Sequence, residues 1–141
     1  MAWAGLGRVE LRRKQPTAAV EALARARKLA PKDAGIAADH CRALVDKDLK
    51  AKATLEECQT AVALDDRNPL ARYELVKVLV AHGDCHGAKQ EMDRFVALPG
   101  LKPEAKAKVQ EILKSCVSAR KNVPSIDDRD EKRKPAKSRL E

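Results

Sequence analysis

The sequence predicts an all-α fold, an α-solenoid of three stacked helix hairpins closed by a C-terminal capping helix. Three observations predict it. Aromatic residues are limited to Trp3, Tyr73 and Phe95, too few to fill the core of a β-sandwich. The sequence is instead alanine-rich and 35% charged, with apolar residues at helical intervals, a composition that favours helices. Finally, small residues that would let helices approach recur: Ala19 and Ala88 stand 69 positions apart (88 − 19), close to two repeats of about 34 residues. At 141 residues the chain suits one domain and holds three such units, about the minimum for a stable stack.

The elements follow in order. A first helix is expected from about Ala2 to Lys14. Gln15-Pro16 breaks it, and Thr17 is placed to cap a second helix over about Ala18–Leu29. Val20, Leu23, Ala26 and Leu29 make the apolar stripe of that helix. Ala30-Pro31-Lys32-Asp33 is a turn. In the next hairpin Ile36, Ala37, His40, Cys41, Leu44 and Val45 share one face. Its second helix, about Lys50–Leu64, carries Leu55, Cys58, Ala61 and Val62, with one extra residue near Lys50. Asn68-Pro69 opens the third hairpin, a cap followed by proline in the first turn. Leu75, Val76, Val78 and Leu79 follow, and Gly83 ends the helix. Ala88, Met92, Phe95 and Leu98 mark its partner, stopped by Pro99-Gly100. A final helix from Pro103 to Lys121 has Ala105, Val109, Ile112, Leu113, Cys116 and Val117 on one side and charges on the other. The predicted boundaries are a repeat domain over 1–121, with repeats at about 1–33, 34–68 and 69–102 and the capping helix at 103–121. Residues 122–141 are mixed charge with almost nothing apolar and read as a disordered tail.

The first hairpin carries a recognisable motif. Trp3, Leu6 and Gly7 give W-x2-L-G, Ala19, Leu23 and Ala26 give A-x3-L-x2-A, and Pro31 closes the unit. This resembles the tetratricopeptide repeat, with Glu10 where the family prefers Tyr and Leu23 where it prefers Phe. The resemblance extends over residues 1–121. The second repeat departs from it, with Asp66 where the closing proline would stand. The resemblance implies a non-enzymatic scaffold whose first helices line a concave groove for a peptide or a partner helix. Residue by residue, that groove takes Arg8, Leu11 and Arg12 from the first repeat, Ala38, Arg42 and Val45 from the second, and Tyr73, Lys77 and Val80 from the third. Arg8, Arg42 and Lys77 fall at equivalent positions and would form a basic ladder for an acidic peptide. The alternative is that Asp39 and Glu74 pair with Arg8 and Arg42, leaving structural ion pairs of small individual worth. The lysine–asparagine clamp of chaperone-binding members lacks its asparagines here.

Placement on the repeats brings Cys41 towards Cys58, and Cys85 towards Cys116. Each pair either bridges, which requires Cα atoms about 4.4–6.8 Å apart, or packs as small apolar residues. The case for a bridge is stronger for Cys85–Cys116. Two bridges would imply an oxidising compartment such as a bacterial periplasm or cell envelope, and free thiols a cytoplasmic one. Alanine- and arginine-rich usage fits a bacterial source. His82, Cys85 and His86 lack the spacing of a metal site, and no metal, cofactor or small-molecule substrate is expected. Nor is there a phosphate loop, a nucleophile elbow or an oriented Cys–His pair. The net charge of +8 keeps a second reading open, a module binding nucleic acid or another polyanion, although few aromatics exist to stack on bases. A third is self-association through an open first helix around Trp3. No apolar run reaches membrane-spanning length.

Overall fold

The computed structural model describes residues 2–121, with side chains through Cys116. Seven helices and no strand occur among them: α1 (Trp3–Arg12), α2 (Pro16–Leu29), α3 (Ala34–Lys47), α4 (Lys52–Leu64), α5 (Pro69–Ala81), α6 (Cys85–Val96) and α7 (Pro103–Lys121). The sequence segment expected to be a tail lies outside the described residues.

The helix ends show local chemistry at work. Asp33 caps α3 by accepting from the Ile36 amide at 3.1 Å. Asn68 caps α5, accepting from Leu70 N at 3.0 Å, and Asp84 caps α6 through Gly87 N at 2.8 Å. Each satisfies backbone donors that the first turn leaves without a helical partner. The start of α2 differs from expectation. Pro16 begins the helix rather than breaking its predecessor, and Thr17 lies inside the first turn instead of capping it. Proline's fixed φ suits that position, where its missing N–H costs nothing. α1 also ends earlier than expected, at Arg12, because Lys14 turns left-handed (φ 58°). Its amide bonds Leu11 O and the Gln15 amide bonds Glu10 O, the paired closure that usually has glycine at this position. Gly83 makes the same closure after α5 with φ 79°. α6 stops at Val96, leaving Leu98 half-buried in the following turn.

The hairpins stack because no single pair can cover its own apolar face. α1 lies against α2, α3 against α4, α5 against α6, and each second helix meets the first helix of the next hairpin. The backbones of successive first helices also approach closely, α1 with α3, α3 with α5, α5 with α7, whereas those of α2, α4 and α6 stand further apart. Close spacing on one layer and separation on the other curve the stack, with the first helices on its inner side. α1 and α2 approach at Gly7, where an added Cβ would overlap the fully buried Leu23. Leu11, Ala19, Leu23 and Ala43 form a small cluster there. The larger core runs from Ala37 and Cys41 through Leu75, Val76 and Phe95 to Val109 and Leu113. The extra residue of the second hairpin sits in the α3–α4 turn, which Thr54, fully buried, secures by donating to Asp48 O at 2.7 Å.

Candidate partner-binding groove

The nine residues projected onto the groove do not share one fate. Leu11, Ala38 and Val45 are core: at 8%, 0% and 6% exposure they hold the first helices together and present nothing to a partner. The reason is the close spacing of the inner layer, which turns positions expected to face the hollow into helix–helix contacts. Tyr73, Lys77 and Val80 are half-buried, and Arg8, Arg12 and Arg42 are exposed.

The basic ladder is likewise uneven. Arg8 Nε donates to Asp39 Oδ2 at 2.6 Å, tying α1 to α3. Glu74 does not take Arg42; its Oε2 lies 3.1 Å from Lys77 Nζ one turn along the same helix. Lys77 Nζ also stands 5.5 Å from the Tyr73 ring centroid, within range of a cation–π contact. Burial raises the Glu74 carboxyl above its ordinary range, the attraction of Lys77 opposes this, Asp46 adds to it, and Arg42 opposes it at longer range. Arg12 and Arg42 make no ion pair among the described residues. Two positive groups therefore stand open on the inner layer.

Beside Tyr73 the layer opens into a cleft of about 410 Å³ between the starts of α5 and α7. Leu70, Tyr73, Leu101, Ala105 and Phe95 line it, with Lys102 just ahead of α7 and Glu104 and Lys108 on it. The Tyr73 and Phe95 rings pack tilted, centroids 5.9 Å apart. Of this set the sequence reading placed only Tyr73 at a site. Leu101, an apolar residue immediately after the Pro99-Gly100 stop, was the signal for the rest.

Outside the groove, Arg27 of α2, His40 of α3 and Glu57 of α4 meet at the junction of the first two hairpins. Arg27 grips Glu57 through Nε at 2.7 Å and Nη2 at 3.0 Å, and its Nη1 reaches Pro31 O at 2.7 Å. His40 Nδ1 hydrogen-bonds the same carboxylate. Burial works to raise the Glu57 carboxyl, but the His40 and Arg27 bonds prevail and hold it below the usual range. The Glu57 hydrogen bond raises Arg27 further. Arg72 plays a similar part later, joining α5 to Glu91 of α6 and to Asp66 O at 2.6 Å.

Both cysteine pairs are disulfides. Cys41 and Cys58 bridge α3 to α4 with Cα atoms 4.9 Å apart, and Cys85 and Cys116 bridge α6 to α7 with Cα atoms 5.9 Å apart. His82 and His86 are exposed, and no cluster of three metal-ligating side chains occurs among the described residues. No helix among them is long and apolar enough to cross a membrane. On α1, Leu6 and Val9 are exposed, and Arg25 lies 4.4 Å over the Trp3 ring.

No protein-family profile matches the sequence, and no curated protein does. The fold is nonetheless shared with solved structures. One, described as the "First TPR of Spaghetti (RPAP3) bound to HSP90 peptide SRMEEVD", superposes with a TM-score of 0.70 at 16% identity, covering 82% of this chain and 93% of that one. Another, the first TPR domain of the human RPAP3 protein, gives 0.72 at 16% identity, covering 85% and 93%. Both are tetratricopeptide-repeat domains, and at this identity the likeness is one of fold.

Proposed function

We propose, from the tetratricopeptide-repeat fold the chain shares with those domains, that it is a non-enzymatic protein-interaction module. It holds a peptide or a partner helix along the inner layer of first helices. The observation that carries this reading is the apolar cleft at Tyr73, set at one end of that layer. An apolar side chain of the partner fills the cleft, as burial of a large aliphatic residue favours binding by about 1.5–3 kcal/mol. Acidic groups on the same partner meet Lys102 and Lys108 at the cleft and Arg42 and Arg12 further along, which make no ion pair among the described residues. The peptide bound by the first of the two similar domains supports a polypeptide ligand, and its Glu-Glu-Val-Asp end supports an acidic one. Two bridges suit work in an oxidising compartment.

Peptides selected from a random-sequence display library against the wild-type protein test the reading. Ala105→Glu places a carboxylate in the cleft, and Arg42→Glu reverses a charge on the layer. Each variant is expected to bind the selected peptides at least tenfold more weakly, with its thermal unfolding unchanged. Undiminished affinity in both variants refutes the groove as the site.

A further inference from the structure

The two disulfides occupy unlike places. Cys41 and Cys58 are both fully buried between α3 and α4. Cys85 is only half-buried at the start of α6, and its partner Cys116 lies far along α7. A disulfide is broken by direct attack of a thiolate on sulfur, so access decides which bond is reduced first. Of the four cysteines only Cys85 is not buried.

What the accessible bridge holds is thinly held otherwise. Among the described residues α7 packs only against α5 and α6, from one side. Of its described side chains only Val109, Leu113 and Cys116 are buried, with Ala105 and Ile112 half-buried against the core. The same helix supplies Ala105 and Lys108 to the cleft wall, with Leu101 and Lys102 leading into it. The wall and the latch are therefore one element.

We propose that the Cys85–Cys116 bridge is a redox latch on the cleft, opened by a dithiol reductant while Cys41–Cys58 stays closed. This rests on the reading of the cleft as the partner site. A thiolate of the dithiol attacks Cys85 Sγ, the Cys85–Cys116 bond breaks, and Cys116 leaves as a thiolate that takes up a proton. The second thiol of the reductant then displaces Cys85, which is protonated in turn. The protein gains two electrons and two protons, and the reductant becomes its own disulfide. With the cross-link gone, α7 moves away from α5, the Leu101–Ala105 wall is lost, and the cleft no longer grips an apolar side chain.

The full chain is treated with graded dithiothreitol, alkylated, and mapped by mass spectrometry, with hydrogen exchange measured on the same samples. Cys85 and Cys116 are expected to be alkylated at reductant concentrations that leave Cys41 and Cys58 protected. In that state the α7 amides exchange at least tenfold faster while α3 and α4 are unchanged. Cys85→Ser/Cys116→Ser shows the fast α7 exchange without reductant and does not respond to it. Simultaneous reduction of both pairs, earlier reduction of Cys41–Cys58, or an α7 exchange rate indifferent to reduction overturns the latch. Exchange is read without any peptide, so a latch that opens in a chain whose selected peptides ignore Ala105→Glu separates failure of the site from failure of the latch.

Discussion

Replacing Glu57 with Gln tests the claim that a three-residue polar junction joins the first two hairpins. The carboxylate accepts from Arg27 at 2.7 and 3.0 Å and from His40. The amide keeps the shape but removes the charge, and it turns an NH2 group towards at least one of these donors. Removing one partner of a fully buried pair costs about 3–5 kcal/mol. Here the side chains of Arg27, His40 and Glu57 retain 17%, 14% and 12% exposure, so solvent relieves part of that. Counting three charge-assisted hydrogen bonds that share one geometry, the loss is about 2–3 kcal/mol. That lowers Tm by about 8–12 °C for a domain of this size. The pH dependence is the sharper test. Glu57 is held below its ordinary value of 4.5 in the folded chain, so the unfolded chain binds the proton first as pH falls. Its contribution is complete above about pH 4.5 and is lost as pH drops through the folded value. Urea unfolding of wild type and Glu57→Gln should therefore differ by the full amount at pH 7 and by progressively less as pH falls below about 4.5. A difference that stays constant from pH 7 to pH 3, or one under about 0.5 kcal/mol at pH 7, refutes the junction.

Two further outcomes follow from backbone strain and from burial. Lys14 adopts φ 58°, which disfavours any side chain, so Lys14→Gly is expected to raise stability by about 0.5–1 kcal/mol in thermal unfolding, against the usual cost of glycine. Glu74 is raised by burial, so stability from its protonated form is present at low pH and lost as pH rises through the folded value. Glu74→Gln should gain Tm relative to wild type between pH 4 and pH 8; a pH-independent difference shows that the carboxyl is not the cause.

The fold was legible where the sequence states a local rule twice. Asn68-Pro69 and Gly83 mark α5 by cap, proline and left-handed closure, and Gly7 facing Leu23 fixes how the first hairpin meets itself. Gln15-Pro16 misled because proline both ends a helix and begins one, and only the second role applies here. The left-handed Lys14 had no sequence signal at all, since lysine carries no preference for that conformation.

The groove was harder to read, for a reason particular to repeats. Equal register guarantees equal backbone placement, and nothing more. Arg8, Arg42 and Lys77 occupy one register, yet Arg8 finds Asp39 across the interface and Lys77 finds Glu74 on its own helix, while Arg42 finds neither. The difference lies in what stands one residue pair away, which the motif leaves unspecified. The cleft escapes register altogether: Leu101 lies in a turn and Ala105 on a helix outside the three hairpins. The proposed site is assembled where the repeat stops and is set by the closing helix, so recognition on that reading depends on the position of α7 more than on any residue the repeats have in common.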